Sequence, residues 1–207
     1  MEPTRLLLVS TFLTFLVSSC YGSVLFSSLK STLIVNASPK PGQVLEAGVD
    51  KITVTWGLNQ SIPAGVDSTY KTIKVKLCYA PVSQVDRAWR KTVDDLHKDK
   101  TCQFNIVARP YNSANKTLQS FEWIVERDVP TATYFIRAYA YDSEGLEVTF
   151  GQTTDAKKAN NLFVINAITG RHLSLDIASI CFSAFSVLAL FGFFFIEKRK
   201  AKGNQGK

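Results

Sequence analysis

A mainly β fold, an antiparallel sandwich outside a membrane with one helix through it, is what this sequence predicts. Three observations carry the prediction. Apolar and polar residues alternate in short runs through the middle of the chain, apolar stretches lie near both ends, and helical spacing is confined to one segment between two cysteines. At 207 residues and 46% apolar composition the chain has room for one ordinary core plus appendages.

The first stretch, "MEPTRLLLVSTFLTFLVSSCYG", has a short start carrying Arg5, an apolar run over residues 6–17 and small residues before Ser23. This is the pattern of a secretory signal peptide, residues 1–22, cut after Gly22. As a helix the run reaches only about 18 Å against a hydrocarbon core of roughly 30 Å, too short for a first membrane span.

Residues 177–196, "IASICFSAFSVLALFGFFFI", are twenty in a row without a charge, enough to cross a bilayer. A buried core helix fits poorly with apolar character all round and with "EKRKAK" following at once. The predicted span is 173–196, with a basic tail over 197–207. Lys198, Arg199, Lys200, Lys202 and Lys207 mark the cytoplasmic side, while Arg171, His172 and Asp176 lie on the other. The expected arrangement is therefore a single-pass type I protein, with an extracellular domain over 23–172 standing close to the bilayer. The formal charge of +7 is concentrated in the tail: residues 23–172 hold 18 Lys or Arg against 14 Asp or Glu. A balance of about +4 implies no nucleic-acid partner, and the tail's primary effect is on orientation, with contact to anionic lipid secondary.

Cys20 leaves with the signal peptide and Cys181 lies in the span, so Cys78 and Cys102 remain. In an oxidising compartment they are expected to pair, closing a loop of about 25 residues worth roughly 3.5 kcal/mol on chain-entropy grounds. A metal or catalytic thiol lacks companions, since the histidines are His97 and His172. Sequons at Asn36, Asn59 and Asn115 suit a secreted surface, the first weakened by Pro39 after Ser38.

Strands are predicted in order over "TLIVN", "ITVTWGL", "IKVKLCY", "CQFNIVA", "FEWIVE", "YFIRAYAY", "LEVTFGQ" and "NLFVINAI", separated by turn-rich segments such as "ASPKPGQ", "NQSIPAG", "RPYNSANK" and "DSEG". Some seven or eight short strands and a core-facing Trp56 point to an immunoglobulin- or fibronectin-type sandwich. Tyr134 stands either at a tyrosine-corner position or as an ordinary core or cross-strand tyrosine. "TTDAKKANN" reads as a flexible loop.

Residues 83–100 break the β pattern. Val85, Trp89, Val93 and Leu96, spaced by four, four and three, predict a short amphipathic helix, with Ser83 and Asp86 as a weak capping box. Asp86 with Arg90, Arg90 with Asp94, Lys91 with Asp95 and Asp94 with Lys98 are four apart, so mutual pairing of solvated charges is one account of the segment. The other is a recognition surface for a second protein: nine of eighteen residues are charged and the expected bridge clamps both ends. On that account Arg87, Arg90, Lys98 and Asp99 are polar contacts and Trp89 is shared between core and edge.

No catalytic or metal-ligating set is read. Two histidines make no triad, Asp94 and Asp95 diverge on a helix, and no phosphate loop, CxxC or HExxH occurs. The expectation is a protein that is not an enzyme and needs no cofactor. Ser179, Ser183, Ser186, Ala184 and Gly192 allow the span either close packing against other helices or plain lipid exposure.

"KVKLCYAPVSQVDRAWRKTVDDLHKDKTC", "RDVPTATYFIRAYAYDSEG" and "GRHLSLDIASICFSAFSVLALFGFFFIEKRKAK" resemble the plant high-affinity nitrate transporter-activating membrane proteins, over residues 44–202 or so. The resemblance implies a non-catalytic subunit that binds a separate nitrate/proton symporter of the major facilitator type, in a hetero-oligomer, and supports its stability, plasma-membrane arrival and activity. It also places Cys78 and Cys102 at the ends of a family motif, with Asp86, Arg87, Trp89, Arg90, Lys98 and Asp99 inside as partner-binding positions. The competing class is a single-pass adhesion or glycan-binding protein, for which such an ectodomain with sequons is equally natural.

Overall fold

The computed structural model describes residues 23–63, 65–112, 118–170 and 173–204. The signal-peptide reading of 1–22, the sequon Asn115, Arg171, His172 and Lys207 fall outside them. Two units are distinguished, a β domain up to Ala167 and a helical unit from Ile168 onward.

Ten strands build the β domain: β1 (Lys30–Ser31), β2 (Leu33–Ala37), β3 (Val44–Glu46), β4 (Lys51–Leu58), β5 (Thr72–Tyr79), β6 (Phe104–Pro110), β7 (Gln119–Ile124), β8 (Ala132–Tyr141), β9 (Glu147–Gln152) and β10 (Phe163–Asn166). β2, β4 and β7 form one antiparallel sheet. The other seven form the second, centred on β8, which pairs antiparallel with β5 along one side and with β9 and then β10 along the other. All eight expected strands are present. The two unforeseen ones, β1 and β3, pair parallel with β9 and β10, so the sandwich is antiparallel except along these edges. They are short because the N-terminal chain changes sheets twice. It leaves β1 for the small sheet as β2, then returns as β3, which is how strands turn the corner of a sandwich. Gly151 of β9 marks the first crossing, since a Cβ there would run into the Leu33 carbonyl.

Period-two alternation explains the core. In β5 and β8 the inward pairs are Ile73 with Ala140, Val75 with Ala138, Leu77 with Ile136 and Tyr79 with Tyr134. Ile52, Val54 and Trp56 of β4 and Trp123 of β7 face them from the small sheet, all buried. Tyr134 is fully buried and its hydroxyl donates to the Pro130 carbonyl at 2.6 Å, four residues upstream, which is the tyrosine-corner contact. Residues 153–162 form the loop from β9 to β10. Asp155 accepts from the Ala159 amide and Asn160 from the Asp155 amide, at 2.8 and 2.9 Å, so this excursion between β9 and β10 is tied to itself.

The outer face of the large sheet is also covered. Cys78, Ala80 and Phe135 form a second buried cluster with Cys102 and Leu162 against it. Beside them Arg137 is 1% exposed, its Nε and Nη2 donating to Gln152 and its Nη1 to the Tyr139 hydroxyl, with the Phe26 ring 4.3 Å from its guanidinium. Burial holds the Lys76 ammonium, directly opposite Arg137 in the sheet register, below its ordinary range.

The helical unit is α1 (Leu173–Asn204). Over Leu173–Lys200 it is long and apolar enough to cross a membrane, and its large apolar side chains are exposed.

Candidate functional site

Cys78 and Cys102 are bonded, closing the charged segment against the end of β5. The amphipathic α-helix expected between them does not form. In its place are two single 3-10 turns, Pro81–Ser83 and Ala88–Arg90, joined through Asp86 at a left-handed φ of 56°. Helix geometry cannot continue through that backbone conformation, which aspartate tolerates better than most residues. None of the four expected ion pairs at spacing four is present among the described residues. Asp95 instead meets Lys98 at 3.1 Å, and this contact holds the Asp95 carboxyl below the usual carboxylate range.

What holds the segment is a run of short polar side chains. Gln84 donates from Nε2 to the Tyr79 carbonyl at 2.9 Å and accepts at Oε1 from the Thr92 amide. Thr92 in turn shares a 2.7 Å hydrogen bond with Thr101, which is fully buried. Asp99 Oδ1 accepts from the Val93 amide, the Thr101 amide and the Thr101 hydroxyl. Ser83, also buried, accepts at Oγ from the Thr133 amide of β8. These bonds satisfy backbone groups that a helix would have paired internally.

The six sequence-predicted positions separate into two groups. Arg90 is 7% exposed and stacks on Tyr79, while Asp99 is half-buried and committed to the hydrogen bonds just described. Asp86, Arg87, Trp89 and Lys98 are exposed. Trp89 was expected between core and edge, but it is 63% exposed, and its carbonyl accepts from Gln103 at 2.6 Å. Of the helical stripe, Val85 is exposed and only Val93 and Leu96 are half-buried.

Sequence reasoning missed the N-terminal strap. The Phe26 amide donates to the Asp94 carbonyl, the Leu96 amide to the Val24 carbonyl, and Ser27 donates its amide to Asp94 Oδ1 and its hydroxyl to Oδ2, at 2.8 and 2.7 Å. Gln84, Thr92 and Thr101 were missed too, because a polar side chain carries no periodic signal of its own. Asn36 is exposed on β2, whereas Asn59 is half-buried with its Oδ1 accepting from the Ser61 amide. No group of three or more His, Cys, Asp or Glu is gathered as a metal site among the described residues.

An immunoglobulin-like sandwich bearing a disulfide-closed polar segment, followed by a single apolar helix, is the class of protein these features define. The chain belongs to the family described as "High-affinity nitrate transporter accessory, Ig-like domain", which residues 26–170 match. It is 54% identical to "High-affinity nitrate transporter 3.1" of Arabidopsis thaliana over the whole of both chains. It is 50% identical to "High-affinity nitrate transporter 3.2" of the same plant, over 97% of each. With "High-affinity nitrate transporter-activating protein 2.1" of Oryza sativa subsp. japonica it shares 50% identity, over 86% of this chain and 82% of the relative.

Proposed function

We propose that this chain is a non-catalytic accessory subunit that binds a multi-span, major-facilitator-type high-affinity nitrate transporter and supports its stability, plasma-membrane targeting and nitrate uptake. The observation that carries the reading is near-full-length similarity to a protein named as an activator of a high-affinity nitrate transporter. The architecture is in keeping with it. One apolar helix offers no ion path by itself, whereas a helix and a rigid outer domain together can add contacts to a folded partner and stabilise it by mass action.

On this reading the chain enters the secretory pathway through residues 1–22, is cut before Ser23, and lies in the plasma membrane as a type I protein with its basic tail inside. Asn36, Asn59 and Asn115 are its glycan acceptors. The segment between Cys78 and Cys102 meets the partner, with Asp86, Arg87, Trp89 and Lys98 outermost and Arg90 and Asp99 shaping the surface from within.

The test is nitrate uptake and surface labelling in oocytes given a high-affinity nitrate transporter with or without this chain. Uptake and transporter surface level are expected to rise together when both are present. Equal uptake without the chain would remove the accessory reading and leave adhesion or glycan binding, which predicts that the ectodomain retains polysaccharide and that the membrane helix can be exchanged freely.

A further inference from the structure

Ser23 is exposed, and the cut expected after Gly22 makes it the first residue of the mature chain. The residues after it are fixed at once. The Val24 carbonyl accepts from the Leu96 amide at 3.0 Å, Leu25 bridges antiparallel to Asp95, and the Phe26 amide donates to the Asp94 carbonyl at 2.7 Å. The Phe26 ring lies 4.3 Å from the buried Arg137 guanidinium, and its centre is 4.5 Å from that of Phe150. The strap thus covers a buried cation, and its backbone is held from one residue after the expected new terminus.

A cavity of about 240 Å³ opens where the strap starts. Ser23 and Val24 contribute to it from the strap, Leu96 and His97 from the disulfide-closed segment, and Gly145 and Glu147 from the turn into β9. The carboxylate among its lining residues is Glu147, which is half-buried and has no cation within 4 Å among the described residues. Lys76 lies within reach of the Glu147 field, but it stands between that carboxylate and Asp99 and pairs closely with neither. A carboxylate partly withdrawn from water without a close cation bears a desolvation cost that a matching charge would offset.

The cut supplies that charge. Before it, the Ser23 nitrogen is a neutral amide. Afterwards the same nitrogen is an α-amino group with an ordinary pKa of about 8, mostly cationic at neutral pH. We propose that this cavity is a binding site for a primary ammonium, filled by the chain's own α-amino group at Ser23, which pairs with Glu147 and locks the strap once the signal peptide is removed. This rests on the secretory reading, with its cut before Ser23. The ammonium–carboxylate contact is a charge-assisted hydrogen bond, available only to the processed chain. Processing and closure of the strap over Arg137 are thereby coupled, and the uncut chain holds the strap without this pair.

The test is hydrogen exchange at the Phe26 and Leu96 amides, which report closure of the strap, in the full chain expressed through the secretory pathway and held in detergent at pH 7. Glu147→Gln removes the carboxylate charge, and insertion of Gly-Ser between Gly22 and Ser23 carries the amine out of the cavity. Each should speed exchange about fivefold, the upper end for an ion pair with an exposed partner. Combined, they should do no more than either alone, because both remove the same interaction. Glu144→Gln, in the exposed turn beside the cavity, should leave exchange as it is. Brief periodate treatment oxidises an N-terminal serine to a glyoxylyl group and releases its nitrogen as ammonia, so it should reproduce the effect in the chain without any substitution. Mass spectrometry of the N-terminal peptide reads the cut. If the unaltered chain does not start at Ser23, the expected cut and the inference fall together. If it does, and the two changes multiply or periodate leaves exchange unaltered, the inference alone is overturned.

Discussion

The guanidinium of Arg90 lies 4.3 Å from the centre of the Tyr79 ring, and Tyr79 stacks in turn on Tyr134 at 5.1 Å. An arginine from the most highly charged run of the ectodomain is thereby tied to the core of the sandwich. Its Nη1 reaches the Ser83 carbonyl at 3.4 Å and its Nε has no acceptor. What holds Arg90 in place is packing on an aromatic ring as much as hydrogen bonding.

Substitution at Arg90 should therefore depend on charge and volume together. Arg90→Met keeps the packing and removes a poorly paired buried cation, so stability should change by less than about 1 kcal/mol. Arg90→Glu buries a carboxylate against a ring and should cost about 3 kcal/mol. Urea unfolding of the full chain in detergent, followed by tryptophan fluorescence, measures both. Equal destabilisation by the two substitutions would contradict the stacked role.

The Cys78–Cys102 bond closes 24 residues of sequence separation. Replacing both cysteines with serine should lower stability by about 3 kcal/mol. Limited trypsin digestion should then cut first after Arg87 or Lys91, where the chain is exposed, because the remaining hydrogen bonds no longer act on a closed loop. Unchanged digestion would show that the strap and the polar side chains hold the segment without the bridge.

Tyr134 donates its hydroxyl to Pro130 from inside the core, so Tyr134→Phe should cost about 1 kcal/mol with the fold intact. Burial, more than any neighbouring charge, pushes the phenols of Tyr134, Tyr139 and Tyr141 above their ordinary value. A folded value raised above the unfolded value of about 10 means stability fully present below pH ~10 and lost as pH rises through the folded value. In a 295 nm titration these phenols should remain un-ionised until the domain unfolds, and then ionise together. Smooth ionisation near pH 10 in a folded domain would refute their burial.

Gly151→Ala is expected to be among the most damaging small changes in the domain, because its Cβ would meet the backbone and side chain of Leu33 where β2 passes β9. Gly42, with nothing within 4 Å of the same position, stands at a left-handed φ of 77°, so alanine there strains the backbone alone. Gly151→Ala should lower the melting temperature more than Gly42→Ala. The reverse order would mean that the crossing relaxes easily.

The tyrosine-corner contact of Tyr134 was settled by the structure, whereas the sequence by itself determined the eight main strands, the apolar helix and the cysteine pair. Each rests on a local signal: alternation every second residue reports the inward and outward faces of a half-buried strand, and twenty uncharged residues report a length. Tertiary structure alone decided the form of the candidate site. Spacing at Val85, Trp89, Val93 and Leu96 promised a helix, yet Thr92 bonds to Thr101 nine residues on, and Asp94 is held by Ser27 across 67. Tertiary structure also buried Arg90, tied Asp94, Asp95 and Asp99 to partners within the fold and left Trp89 outside. Periodicity records which face of a regular element meets the core. In a segment whose backbone groups are satisfied by distant side chains, no regular element exists for it to record.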